Sequence, residues 1–167
     1  MHRARNINQN QPSRKMKDII NINLESTPKT PMVDFNALTG DLIFQGKSIM
    51  ENATKFYEPL LKWINEYVKS PRQTTNLRLH LEYFNTASSI WIAKIVKSLS
   101  KISHPEYLLL IHLYFDLEDY DDMEVDDVKD ALSPVIDIIT VATISIGVKM
   151  YGVDDKGEVV KESMVLI

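Results

Sequence analysis

Hydroxyl side chains crowd one junction of the chain, in the stretch EYFNTASSI from Glu82 to Ile90. Asn85, Thr86, Ser88 and Ser89 stand where an alternating segment ends and an apolar helical segment begins. The first backbone N–H groups of a helix lack intrahelical partners, and the helix dipole adds about half a positive charge there. Such a position stabilises a phosphate. The pattern therefore indicates either a plain cap formed by Asn85 or Thr86, or a hydroxyl that is phosphorylated.

Phosphorylation at this junction would sharply change the surrounding surface. A phosphate adds about −1.5 to −2 charge and three acceptor oxygens. Glu82 lies just upstream of Thr86, and the body of the chain is already acidic. A partner that fits the unmodified form could then be expelled.

Length and composition are typical of one globular domain. The chain has 167 residues and no cysteine, which excludes a disulfide framework, a thiolate zinc site and a cysteine nucleophile. No apolar run approaches the roughly 18 residues that a membrane helix needs. The N-terminus also lacks the apolar core of a signal peptide. We therefore expect a cytoplasmic protein with no membrane partner.

Charge is unevenly distributed along the chain. Residues 1–17 carry five basic side chains and no acidic one, so the rest carries −9 because the whole chain carries −4. This composition predicts a disordered basic tail over residues 1–17, although such a tail could also contact an acidic partner or nucleic acid. The acidic body argues against a nucleic-acid partner, because phosphates repel it.

The order of the predicted elements indicates an α/β domain over residues 18–141. Predicted strands cover residues 19–24, 32–35, 41–45, 76–83, 107–115 and 135–140, and predicted helices cover about 48–69, about 86–102 and a short acidic segment after 115. Strands separated by helices imply crossovers and partly parallel pairing. The segment 76–83 alternates apolar and polar residues, so we expect a small mixed sheet with helices packed mainly on one face.

Two local signals concern the first helix. Ser48 and Glu51 have the spacing of a capping box, which predicts that Ser48 caps the helix. Pro59 falls inside the helical pattern and predicts a kink or two abutting helices. After Val141 the pattern changes, and the turn Asp154–Gly157 predicts that residues 142–167 form a hairpin appended to the core.

Motifs for catalysis or metal binding are weak in this sequence. The segment Gly40–Ser48 looks like a phosphate-binding loop but has one residue too many between its glycines, so we interpret it as a strand. His80 and His112 lie on predicted strands without a third ligand, and we interpret them as exposed strand residues. No serine stands in a recognisable nucleophile motif. We therefore expect no enzyme activity, no metal site and no cofactor.

The acidic segment 118–127 leaves three interpretations open. Its carboxylates could bind a hard cation, but the segment lacks the glycine and the distal glutamate of an EF-hand loop. Acidic residues near a helix start also complement the helix dipole, and we favour this structural interpretation. The third interpretation is that the acidic segment forms a binding surface for a partner.

Several short motifs occur in a fixed order and carry a family resemblance. They are Thr30-Pro31, Gly40–Ser48, Glu51-Asn52-Ala53, Phe56–Leu60 with Trp63, Leu81–Ser89 and Asp121-Asp122-Met123. The ordered set resembles the SiaC family of bacterial regulatory phosphoproteins over roughly residues 27–141. The chain departs from the family pattern at three places: Met50 stands where proline is frequent, Ile90 replaces a polar residue, and Val125-Asp126 stand where a glycine is usual.

The resemblance implies a fold, a modification and a set of partners. The fold is that of STAS domains and anti-sigma-factor antagonists. In this family a partner Ser/Thr kinase phosphorylates the threonine after the asparagine, and a metal-dependent Ser/Thr phosphatase reverses this. The unphosphorylated form activates a diguanylate cyclase, which raises cyclic-di-GMP and promotes biofilm. By motif match the phosphorylated residue is Thr86, and Asn85, Ser88 and Ser89 shape its surroundings together with Glu82.

Three functions remain as hypotheses from the sequence. The first is a non-enzymatic switch with Thr86 as phosphate acceptor. The second is a binding or scaffold module of the same fold whose partner ignores the state of Thr86. The third is an enzyme that uses the acidic segment with a divalent metal, which substitution of Asp121 and Asp122 would test.

Overall fold

The computed structural model describes residues 19–124 and 141–166. The described residues form seven strands and three helices. The strands are β1 (Ile22–Leu24), β2 (Met32–Asn36), β3 (Asp41–Ser48), β4 (Thr74–Phe84), β5 (Leu108–Asp116), β6 (Ser145–Val153) and β7 (Val159–Leu166), and the helices are α1 (Ala53–Tyr67), α2 (Thr86–Leu99) and α3 (Leu117–Asp122). The tail 1–17 and the strand expected at 135–140 lie outside the described residues.

All seven strands form one sheet, whose spatial order follows the chain from β1 to β7. The first three strands pair antiparallel, β3 to β6 pair parallel, and β7 returns antiparallel to β6. The expected α/β fold with a mixed sheet is therefore confirmed. Because β3, β4 and β5 run parallel, α1 and α2 both cross back over the sheet and begin at the carboxyl ends of β3 and β4.

One face of the sheet carries the core. Val33 lies opposite Phe44 in the register of β2 and β3, and Leu77 lies opposite Ile111 in that of β4 and β5. Fully buried residues of α1 and α2, among them Leu60, Ile64, Ile95 and Leu99, belong to the same cluster. The other face bears polar side chains, as the alternation in β4 predicted.

The first helix differs from its predicted start. The capping-box interpretation of Ser48 is wrong: Ser48 is the last residue of β3 and is fully buried. Asn52 caps α1 instead, because its side chain accepts the N–H of Lys55 at 3.1 Å. Pro59 lies inside one continuous helix rather than between two abutting ones.

The C-terminal segment is integral to the sheet. Its two strands pair as the predicted hairpin, with Gly157 at positive φ in the turn. However, β6 also pairs in parallel with β5 along its whole length, and Ile146 and Val148 are buried in the core. The hairpin is therefore not an appendage, and β6 reads as a nearly continuous apolar run because residues pointing to both faces of the sheet are mostly buried.

Candidate phosphorylation site

The predicted site lies where the carboxyl ends of two parallel strands meet the first turns of two helices. Ser48 ends β3 and pairs with Phe84, which ends β4. Asn85 follows in an extended conformation, with φ −87° and ψ 172°, and α2 begins at Thr86. The structure therefore brings Asn85, Thr86, Ser88 and Ser89 together at one corner of the sheet.

Asn85 fixes this corner through three hydrogen bonds. Its Oδ1 accepts the N–H of Ser88 at 2.9 Å, which makes Asn85 the N-cap of α2. Its Nδ2 donates to the carbonyl of Met50 at 3.1 Å, and its backbone N–H donates to the carbonyl of Ser48 at 3.0 Å. Between the two caps that the sequence allowed, the structure selects Asn85 and releases Thr86 from that task.

Ser88 is a buried structural residue. It is fully buried, and its hydroxyl donates to the carbonyl of Ser48 at 2.8 Å. The hydroxyl of Ser48 donates to Ser88 Oγ at 2.8 Å and lies 2.6 Å from the hydroxyl of Tyr57. Since the Ser48 and Ser88 protons are both committed, Tyr57 donates to Ser48. Burial raises the pKa of Tyr57, which keeps that donor protonated.

This hydroxyl chain links β3, α1 and α2 behind the cap. A phosphate on Ser88 would place a dianion among buried groups that already have their partners, at a cost of several kcal/mol. Ser88 is therefore excluded as an acceptor in the folded protein. Its role is to hold the first turn of α2 against the end of β3.

Thr86 has the opposite environment. It is exposed, and its hydroxyl has no hydrogen-bond partner among the described residues. Ser89 is half-buried, and its hydroxyl donates to the carbonyl of Thr86 at 2.8 Å. Glu82 is exposed near the end of β4. Of the three hydroxyls after the cap, Thr86 is thus the one that is both accessible and uncommitted.

Large apolar side chains are exposed on the segments that meet at the start of α2. We call Ile49, Tyr83, Phe84 and Ile90 the corner patch; their exposed fractions are 39%, 66%, 56% and 53%. Tyr83 and Phe84 come directly before Asn85 and, as consecutive strand residues, point to opposite faces of the sheet; the ammonium group of Lys47 lies 5.7 Å from the centre of the Tyr83 ring. Ile90 lies one helical turn after Thr86 on the same side of α2. Exposed apolar groups on adjoining segments make this corner a candidate interaction surface. Sequence reasoning missed the patch, although two consecutive aromatics at the end of an alternating strand were a signal for it.

A crevice opens beside this patch. It has a volume of about 370 Å³ and lies between α2 and the strands β4 and β5. Leu81, Phe84, Ser89 and Ile92 are among the residues that line it. The corner thus offers a partner both exposed apolar side chains and a concave apolar surface.

The two strand histidines share the open face of the sheet but are not both exposed. His80 is half-buried and stacks on Tyr114. His112 is only 3% exposed, which corrects its interpretation as an exposed strand residue. Its ring nitrogens lie 2.8 Å from the hydroxyl of Tyr151 and 2.9 Å from Oδ1 of Asn76.

His112 is a neutral structural group in this arrangement. Burial, with the charges of Arg78 and Lys149, lowers the pKa of His112 to about 4. A neutral ring donates to Asn76 from one nitrogen and accepts from Tyr151 at the other. The described residues contain no group of three metal-ligating side chains. Of the acidic segment, Asp126 and Asp127 lie outside the part of the chain that the structure describes.

The fold and the corner together define a mixed α/β domain with an exposed hydroxyl at a helix start. The model of the SiaC family of regulatory phosphoproteins matches residues 24–141, and the chain belongs to this family. A comparison with curated proteins finds no match.

Solved structures of SiaC share the fold. The structure of apo-SiaC from Pseudomonas aeruginosa is 20% identical, with a TM-score of 0.58, covering 66% of this chain and 92% of the other. A second SiaC structure from the same organism is 22% identical, with a TM-score of 0.54, covering 58% and 80%. The structure of the diguanylate cyclase SiaD in complex with its activator SiaC, also from this organism, gives 16% identity, a TM-score of 0.59 and coverage of 78% and 99%.

No helix within residues 19–124 and 141–166 is long and apolar enough to cross a membrane.

Proposed function

We propose that this protein is a non-enzymatic switch whose effector binds the corner patch while Thr86 is unmodified and leaves when Thr86 is phosphorylated. The observation that carries the proposal is the position of Thr86: an exposed hydroxyl without a partner among the described residues, at a junction whose adjoining segments carry exposed apolar side chains. Cytoplasmic partners are proposed with it, namely a Ser/Thr kinase, a metal-dependent Ser/Thr phosphatase and an effector.

The start of α2 favours addition of a phosphate without unfolding. Neither α1 nor α2 has an acidic residue in its first turn, so no like charge within those turns opposes a dianion. The helix dipole of α2 stabilises negative charge at this end by about 0.3–1 kcal/mol. Because Asn85 is the cap, the Thr86 hydroxyl is available without loss of a capping bond.

The corner patch explains why the phosphate would weaken partner binding. An apolar partner surface gains free energy by removing Tyr83, Phe84 and Ile90 from water. A dianion on Thr86 would have to lose its hydration in the same interface, and a phosphate placed in a hydrophobic interface disrupts it. The unmodified form is therefore the binding form.

A diguanylate cyclase is the effector class that we propose. Membership of a family of regulatory phosphoproteins supports the switch, and the solved complex of SiaC with the cyclase SiaD supports this kind of partner. Binding and activation would raise cyclic-di-GMP and promote biofilm. The chain itself would contribute a surface and a switch rather than chemistry.

The test compares three forms of the full chain with the diguanylate cyclases of the source organism. Unmodified protein and Thr86→Ala are expected to bind one cyclase and raise its production of cyclic-di-GMP. Protein carrying phosphothreonine at position 86, installed during translation, is expected to do neither. Equal activation by the unmodified and the stoichiometrically phosphorylated protein would refute the switch. Binding to none of the cyclases would refute the effector class.

A further inference from the structure

The two edges of the sheet differ in how they are protected. The edge strand β1 has only three residues and is followed by the turn at Thr27–Thr30. Next to it, Trp63 Nε1 donates to the carbonyl of Ile20 at 2.7 Å, and Asn21 Oδ1 accepts the N–H of Ala37 at 3.0 Å. A short edge with occupied polar groups is a poor template for another strand.

The opposite edge, β7, has no such protection among the described residues. It runs for eight residues from Val159 to Leu166 without a proline. Val159, Val160, Met164 and Val165 are 38–50% exposed. Within residues 19–124 and 141–166, β7 pairs only with β6, so its outer backbone N–H and C=O groups face away from the described sheet. A long apolar edge of this kind is a site for pairing with another strand.

The charged side chain that could prevent pairing at this edge, Lys161, is held by an ion pair. A lysine on an edge strand discourages pairing when its ammonium group projects beyond the edge. Lys161 of β7 instead forms an ion pair with Asp121 of α3. The neighbouring Ser163 accepts a hydrogen bond from Tyr120 at 2.9 Å. The side chains of Lys161 and Ser163 thereby both contact α3.

We infer that β7 pairs antiparallel with β7 of a second copy of this chain, centred on Ser163, so that one sheet continues across the dimer. The two-fold axis stands perpendicular to the sheet, so residues on the same face lie opposite each other. Centring the pair on Lys161 or on Glu162 would set like charges face to face, which is unfavourable.

Centring on Ser163 avoids this conflict over the longest stretch. Glu162 then lies opposite Met164 of the second copy, and Lys161 lies opposite Val165. Residues 160–166 are all paired in this register, whereas centring on Met164 would pair only residues 162–166. The inference is independent of the proposed switch, because none of the observations behind it involves Thr86.

Sedimentation equilibrium of the full 167-residue chain tests the dimer. The unaltered chain is expected to sediment as a dimer at micromolar concentration. The double variant Val160→Lys with Met164→Lys, both on exposed positions of β7, is expected to be a monomer with an unchanged circular dichroism spectrum. The matched control Leu24→Lys, on the β1 edge, is expected to remain a dimer. A monomeric unaltered chain, or a dimer that the β7 lysines leave intact, would overturn the inference.

Disulfide crosslinking tests the register. The chain has no cysteine, so a single introduced cysteine gives an unambiguous signal. Ser163→Cys places the two side chains directly opposite, within about 4.5–5.5 Å between Cβ atoms, close to disulfide geometry. It is expected to crosslink on mild oxidation far more than Val165→Cys or Leu24→Cys. Stronger crosslinking at position 165 would contradict the register.

Discussion

The starts of α1 and α2 have the same local design but different surroundings. Each begins with an asparagine, Asn52 or Asn85, whose side chain accepts the N–H of the third helical residue. Each has an exposed threonine in its first turn, Thr54 or Thr86, and neither has an acidic residue there. Cap geometry alone therefore does not distinguish a switch from an ordinary helix start.

What distinguishes them is the surface around each threonine. Four residues after Thr54 stands the exposed carboxylate Glu58, whereas four residues after Thr86 stands the exposed side chain Ile90. Two exposed aromatic residues, Tyr83 and Phe84, also come directly before the cap of α2. In the function that we propose, a hydroxyl at a helix start acts as a switch only because a partner binds the surface next to it.

The largest expected effect is on the aromatic part of the corner patch. Phe84→Ala should weaken effector binding by about 2–3 kcal/mol, because exposed aromatic side chains at the centre of an interface carry much of the binding energy. Leu38→Ala is the matched control: Leu38 is 69% exposed but lies in the β2–β3 turn. Isothermal titration of each variant measures the difference. Equal affinities of the two variants for the effector would show that the effector does not bind at the corner patch.

Ser88 should matter for folding and not for switching. Ser88→Ala removes a buried hydroxyl bonded to Ser48 and should lower the free energy of unfolding by about 1–3 kcal/mol. Thr86→Ala removes an exposed hydroxyl and should change it by less than about 0.5 kcal/mol. Urea unfolding compares the two variants. A larger loss for Thr86→Ala would mean that its hydroxyl has a structural partner after all.

Replacing each of the two threonines with glutamate tests whether the position of a negative charge matters. Thr86→Glu should weaken effector binding about tenfold, or about 1.4 kcal/mol, because one charge must be desolvated in the patch. Thr54→Glu should leave binding unchanged, although it adds the same charge at the equivalent helix end. If Thr54→Glu weakened binding equally, net charge rather than position would be the cause.

The smallest expected difference is between the two caps. Asn85→Ala should lower the free energy of unfolding by about 1–2 kcal/mol, since its side chain also donates to the carbonyl of Met50. Asn52→Ala, which loses only its cap bond, should cost about 0.5–1 kcal/mol. Thermal unfolding of both variants measures this. Asn52→Ala being the more costly would show that the bond to Met50 contributes nothing.

The sequence predicted the fold and the corner better than the contacts within it. Periodicity correctly indicated β4, α2 and the mixed sheet, because burial of one face imposes a repeat on neighbouring residues. It could not predict that Ser48 serves Tyr57 and Ser88, nine and forty residues away, rather than capping α1. It also misjudged His112, since its burial depends on Tyr151 and Asn76 from other strands.

The place of β6 was missed for a related reason. A strand covered on both faces loses its alternation, and its apolar run is then hard to assign to the core or to an appended hairpin. Exposure of Tyr83 and Phe84 likewise follows from their position at the end of a strand beyond the core. Local sequence patterns therefore identified the candidate hydroxyls, whereas only the three-dimensional packing showed that Thr86 is exposed and Ser88 is buried.

Phosphosite mapping by mass spectrometry, on protein isolated from its native cells, tests the central claim most directly. Trypsin releases the peptide Leu79–Lys94, which contains all three hydroxyls, and fragment ions distinguish them. The account predicts phosphate on Thr86 in a fraction of the molecules and none on Ser88. A well-covered peptide without phosphate on Thr86 under several growth conditions would contradict it and leave Thr86 an ordinary residue at a helix start.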